Sequence, residues 1–245
     1  AALEMAQGGS ALIQLPPGIL LFNATLDMPD GIVLRGAGAD STTLRFAISP
    51  TAHCIRIAGE ELQQAFPLSA DALRGSSHLP MASTAGLSVG DAVRLYRNDS
   101  ALVVSWWAMG AAGQIAHVTA VQADGIDIAA PLRADFTMVG SAYLRLLRPA
   151  RRCGVECLRI ERTTAPDGQF SNIWMYAADG CWVRGVESVN CGFAHVELYT
   201  STNCEVSGSW LHHAFSYGGG GEHSITLPAA AVGECVMQPG AADFT

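Results

Sequence analysis

The sequence predicts an all-β solenoid, in which short strands wind into coils and the coils stack. Three observations carry this reading. Helix signal is nearly absent, and only residues 1–7 read as a short capping helix, stopped by Gly8-Gly9. Short runs rich in Val, Ile, Leu and Thr, punctuated by Gly, Asn, Asp and Pro, fill the rest. Two strand types then recur alternately over residues 171–245. One is NIWMY (172–176), HVELY (195–199) and SITLP (224–228); the other is CWV (181–183), CEV (204–206) and CVM (235–237). The steps are 23 and 29 residues for the first type and 23 and 31 for the second. A period of that size with more than one strand per repeat is a solenoid's signature.

In chain order, residues 1–62 hold the cap and a first coil. The stretch SALIQLPPGILLFNATLDMPDGIVLRGAGADSTTLRF (10–46) alternates short apolar strands with Pro-Pro-Gly, Pro-Asp-Gly and Gly-Ala-Gly turns. Residues 63–149 have a different texture and read as an inserted small β-rich subdomain. Within it GLSVGDAVRLYRND (86–99) is a turn and strand, and GQIAHVTAVQADGIDIAAPL (113–132) is a hairpin closed by Asp124-Gly125. YLRLLRP (143–149) leads back, and residues 150–245 form further coils, the last reading as cut off at GAADFT.

Composition narrows the function. Hydrophobic residues make up 49% and charged residues 15%, enough apolar content for a long core. No apolar run is long enough to span a bilayer. The net charge of −8, with only 14 Lys and Arg, argues against a nucleic-acid partner. The seven Cys are odd in number and lack zinc-type or redox-type spacing. Cys181, Cys204 and Cys235 instead fall at one position of successive repeats, as an inward ladder of small apolar side chains. The start of the chain lacks a charged and an apolar leader region, so a secretion signal is either removed or absent from this stretch.

The Gly8-Gly9, the Pro-Gly turn and the Gly36-Ala37-Gly38-Ala39-Asp40 strand ending together resemble the first coil of the pectate-lyase superfamily (pectin-lyase-like proteins). That group of right-handed parallel β-helices includes phage tailspikes, polysaccharide lyases and glycoside hydrolases. The resemblance covers the first coil and residues 150–237. It implies a right-handed parallel β-helix that is secreted or cell-surface and acts on a polysaccharide. It transfers no catalytic residue. The acidic cluster of the calcium-dependent lyases is not visible, so no cofactor is expected, and the Asn-Thr-Asp, Asp-Asp, Gly-His-Gly and Arg-Ile-Lys signatures of polygalacturonase-like hydrolases do not occur.

Site candidates come from strand alternation. With Val196 and Leu198 inward, His195, Glu197 and Tyr199 face out; with Ile173 and Met175 inward, Asn172, Trp174 and Tyr176 face out. Stacking aligns Asn172/His195/Ser224, Trp174/Glu197/Thr226 and Tyr176/Tyr199/Pro228. Aromatic rings beside a carboxylate and an imidazole suit a sugar, although outward aromatics also serve simply to stabilise a sheet. The expected catalytic residues are Glu197, His195 and Glu222. The expected substrate-binding residues are Trp174, Tyr176, Tyr199, Asn172, His223 and Tyr217, the last in the loop FSYGGGGEH (215–223). Hydrolysis needs a second carboxylate, for which Glu222, Asp179 and Glu187 stand as candidates. A lyase needs a base near the sugar C5 and a positive charge for the uronate, either Arg184 or a bound cation such as calcium. Binding without cleavage and a purely structural shaft are the alternatives.

Overall fold

The computed structural model describes residues 9–104, 106–215, 223–226 and 235–237; the expected capping helix, and Tyr217 and Glu222 of the loop, lie outside these. Three parallel sheets form the first of two units. Successive coils supply one strand to each. The first sheet stacks Ala11–Gln14, Ile32–Arg35, Gly154–Glu156, Trp182–Arg184, Cys204–Ser207 and Cys235–Met237. The second stacks Gly18–Phe22, Thr42–Phe46, Arg159–Arg162, Glu187–Cys191 and Trp210–Ala214. The third stacks Leu26–Asp27, Ile55–Ala58, Ile173–Tyr176, Ala194–Tyr199 and His223–Thr226. These strands make five coils and the opening strand of a sixth.

Inward side chains repeat from coil to coil. Ile13, Leu34, Val155, Val183 and Val206 line the first sheet in register, as Ile55, Ile173 and Val196 line the third. Each is nearly or wholly excluded from solvent except Ile13 at the open end of the stack. Burying one such side chain contributes about 1.5–3 kcal/mol. Cys181 and Cys204 stand as the expected inward ladder and Cys153 joins them, all three buried free thiols, while the side chain of Cys235 lies outside what the structure describes. Each thiol donates to a main-chain carbonyl near the corner (Cys153 to Pro29, Cys181 to Ala150, Cys204 to Thr202, at 3.3–3.4 Å), so a small side chain with one weak donor suits the position.

The corners have their own repeat. Arg152, Gly180 and Asn203 precede the three first-sheet strands, and Cys157, Gly185 and Gly208 follow them; all six have positive φ, between 50° and 66°. One left-handed residue on each side turns the chain out of the strand. Outside the barrel of coils, ion pairs join consecutive strands: Arg35–Glu156 at 2.6 Å, Arg45–Glu161 at 2.8 Å, Arg159–Glu187 at 3.0 Å and Arg184–Glu205 at 2.7 Å. These are partly exposed, so each is worth at most about 1 kcal/mol and acts mainly on register.

Two coils, not one, precede the insertion. The first was hidden in the sequence because its third-sheet strand, Leu26–Asp27, is only two residues long. The insertion is a unit of its own, Gly59–Pro149, beginning four residues before the expected boundary at 63 because the strand Glu60–Pro67 belongs to its sheet. Its six antiparallel strands enclose a separate core of Leu79, Val93, Leu95, Ile126, Phe136 and Leu144. The expected hairpin is present, pairing Gly113–Val121 with Gly125–Ile128.

Gly154 is among the glycines fixed by close approach. Gly154 lies under the Trp182 indole of the next coil, and a Cβ there would collide with the ring. Trp182 in turn donates its N–H to Glu156 at 2.5 Å. Gly154→Ala is therefore expected to lower the unfolding free energy by about 1–3 kcal/mol in urea denaturation, by displacing the indole; an unchanged midpoint would mean that the ring has room to move.

Candidate functional site

The outer face of the third sheet brings four of the expected residues together. Trp174 pairs in register with Glu197, and Tyr176 with Tyr199. Trp174 and Tyr176 stack at 5.5 Å between ring centres, and Tyr176 and Tyr199 at 5.7 Å. Two further rings extend the row. His53 stacks on Trp174 at 4.9 Å and 10°, and Phe170 meets His53 edge-on at 5.2 Å. All five rings are partly exposed. The sequence reading missed His53, because alternation from the inward Ile55 puts position 53 inward, level with the buried Ser171; the corner before the strand turns it out.

Glu197 sits within this row at 8% exposure. Ser171 donates its hydroxyl to Glu197 Oε2 at 2.5 Å, and the Trp174 indole N–H donates to the same carboxylate. Burial nevertheless wins over these bonds and raises the carboxyl's pKa above its ordinary value. The Ser171 main-chain N–H donates to His53 Nδ1 at 3.0 Å, which puts the imidazole proton on Nε2. Burial, with Arg162 and Arg56 nearby, lowers His53 to about 4, so the ring is neutral at ordinary pH. Lower in the same column Arg56 is paired with Asp27 at 2.5 Å.

Asn172 and His195 do not face outward as strict alternation predicts. They stand at the corner where the chain enters the third sheet, and there two successive residues point into the coil. Asn172 is fully buried and His195 is 3% exposed. Both bond to the hydroxyl of Ser188, an inward residue of the second sheet, Asn172 through Nδ2 and His195 through Nδ1, each at 2.9 Å. Burial lowers His195 to about 4. Neither side chain reaches the outer surface, so both belong to an interior polar bridge rather than to a sugar site. His223 opens the next third-sheet strand, in register with Ala194.

The other expected partners lie elsewhere. Asp179 is at a corner, held by Asn203 at 2.9 Å; Glu187 is on the second sheet; Arg184 is on the first sheet, paired with Glu205. Among the described residues no three His, Cys, Asp or Glu side chains converge to hold a metal ion. Trp106 is 86% exposed on a short 3-10 turn of the insertion.

Three stacked parallel sheets, each taking one strand from every coil, define a parallel β-helix. No family model matches the chain, and no curated protein matches it. Solved structures do. The tailspike protein gp49 from Pseudomonas phage LKA1 matches with a TM-score of 0.69 and 20% identity over 90% of this chain. The Pseudomonas phage phi297 tailspike gp61 follows with 0.64 and 18% over 86%. The Gp54 tailspike of Acinetobacter baumannii bacteriophage AP22, solved in complex with a capsular saccharide of that bacterium, gives 0.57 and 10% over 97%. The chain has the right-handed parallel β-helix fold of these proteins, and it spans 36%, 40% and 40% of their respective lengths.

The raised Glu197 pKa has a defined effect on stability. Between the ordinary value of 4.5 and its raised folded value, the folded state holds the proton more tightly than the unfolded chain does. Folding stability attributable to this group therefore falls as pH rises through that window. Relative to wild type, Glu197→Gln is expected to gain stability progressively above pH 4.5 in urea titrations at stepped pH. A pH-independent difference would show that the site does not penalise the carboxylate.

Proposed function

We propose that this chain binds a polysaccharide along the outer face of its third sheet, acting outside the cell or at a cell surface. The observation that carries this is the row Phe170, His53, Trp174, Tyr176 and Tyr199 running beside Glu197. The partly exposed edges of the stacked rings form an apolar strip for the C–H groups of pyranoses, while the His53 Nε2–H and the carboxylate serve hydroxyls. The saccharide complex of the AP22 tailspike supports the ligand class.

Cleavage is the second reading, and it rests on the raised pKa of Glu197. A carboxyl that burial makes hold its proton more tightly than usual is suited to protonate a glycosidic oxygen. The nearest acid in its own column, Asp27, is three strands away and paired with Arg56, which leaves the second group of a two-carboxylate mechanism to residues beyond the described face.

The test is a polysaccharide panel screened for binding, for reducing ends and for absorbance at 235 nm, with Trp174→Ala and Glu197→Gln alongside wild type. Trp174→Ala is expected to weaken binding about three- to tenfold, the worth of one ring contact. Reducing ends without absorbance, lost in Glu197→Gln, would mark hydrolysis; absorbance would mark β-elimination. Binding without either signal would leave a binding protein, and binding unaffected by Trp174→Ala would remove the third sheet from consideration.

A further inference from the structure

A second cluster of aromatic and charged side chains stands on the outer face of the second sheet. Trp210 follows Arg159 and Glu187 in one outward column, and His212 lies in the next. The Trp210 indole rests on the His212 imidazole with ring centres 3.9 Å apart, yet Trp210 remains 54% exposed, so its other side is open to solvent. Glu187 Oε1 accepts from Arg159 Nη1 at 3.0 Å and from His212 Nε2 at 3.0 Å. The Nε2 proton committed to Glu187 leaves His212 Nδ1 as an acceptor, and His213 Nδ1 lies 2.5 Å from it. The imidazole is thereby held flat beneath the indole by bonds from both of its nitrogens.

We infer that this face carries a second saccharide-binding site, independent of the third sheet, with Trp210 as platform for a neutral pyranose unit. An indole braced from below and open above is a fixed apolar plane, which stacks on a sugar ring without first losing side-chain freedom. The remaining guanidinium N–H groups of Arg159 and the second oxygen of Glu187 offer donors and an acceptor side by side, the pattern that neighbouring hydroxyls require. The charges of Arg159 and Glu187 cancel at 3.0 Å, so no net charge is left to attract a uronate or to repel a neutral sugar. The neighbouring column repeats this balance in Arg45 and Glu161 at 2.8 Å. The site shares no residue with the third-sheet row.

The experiment is affinity electrophoresis in gels containing dextran, galactomannan, mannan or xyloglucan as neutral probes and alginate as the anionic one. Wild type, Trp210→Ala, Glu187→Gln and Trp174→Ala are compared, with circular dichroism to confirm that each variant keeps its strands. Retardation by at least one neutral polymer is expected, reduced about three- to tenfold in Trp210→Ala and also reduced in Glu187→Gln, which keeps the shape of the side chain. In the Trp210→Ala, Trp174→Ala double variant the retardation is expected to fall below that of either single variant, because independent sites each add their own contribution to the total. Loss in Trp210→Ala with none in Trp174→Ala would support this site and overturn the third-sheet reading. Wild-type retardation in Trp210→Ala, retardation by alginate alone, or none by any neutral polymer would overturn the second site.

Discussion

Register between successive coils constrains everything else in the molecule, because a parallel strand that slips by one residue turns its whole inner row outward. Here the same choice is enforced at several levels. Ile173 must meet Ile55 on one side and Val196 on the other, and the interior offers each a partner of similar size. The left-handed residues at the corners set where each first-sheet strand begins and ends. The ion pairs between adjacent strands, such as Arg159 with Glu187, penalise a slip on the outer face as the apolar ladders do on the inner one. No single coil is stable by these means alone; each exists because its neighbours bury it.

The interior is not uniformly apolar, and one connected group of its polar members lies where the second sheet bends into the third. Arg162 is completely buried, and its guanidinium donates to the carbonyls of Thr164, Ala52 and Ser49 at 2.8–3.3 Å. It reaches Cys54, whose thiol is pushed up to about 12 by burial, and Cys54 faces Asn172 at 3.7 Å. Asn172 and His195 then share Ser188. The bend leaves main-chain carbonyls without strand partners, and a buried carbonyl left unpaired is costly. A long donor folded into the coil answers this at a point where an apolar side chain would leave them unsatisfied.

That bend also marks where the sequence stops being legible. Alternation correctly placed Trp174, Tyr176, Glu197 and Tyr199 on one face and predicted the register of Trp174 with Glu197, because these lie within strands whose pleat is regular. It failed at Asn172 and His195, two residues before Trp174 and Glu197, where the pleat gives way to a corner. The first coils were harder to count than the later ones because Leu26–Asp27 is too short to show a pattern and the insertion interrupts the period. Glu187, Trp210 and His212 are scattered through the sequence; only the stacking of strands whose spacing varies assembles them.

Glu197 has a structural task before any chemical one. Its carboxylate accepts from the Trp174 indole and from Ser171, and Ser171 in turn fixes His53 through its main-chain N–H. Those bonds hold His53 and Trp174 nearly parallel, 10° apart, and the remaining rings pack in sequence on them. The cost of placing a carboxyl at 8% exposure, visible in its raised pKa, is therefore offset by a preorganised aromatic row. An apolar side chain at position 197 would pack on Trp174 without the desolvation penalty, but it would leave the indole N–H and the Ser171 hydroxyl without this acceptor. The same contrast holds on the second sheet, where Glu187 spends its hydrogen bonds on Arg159 and on the imidazole under Trp210. In both places a carboxylate fixes a tryptophan, Trp174 through its own indole N–H and Trp210 through the imidazole on which it rests.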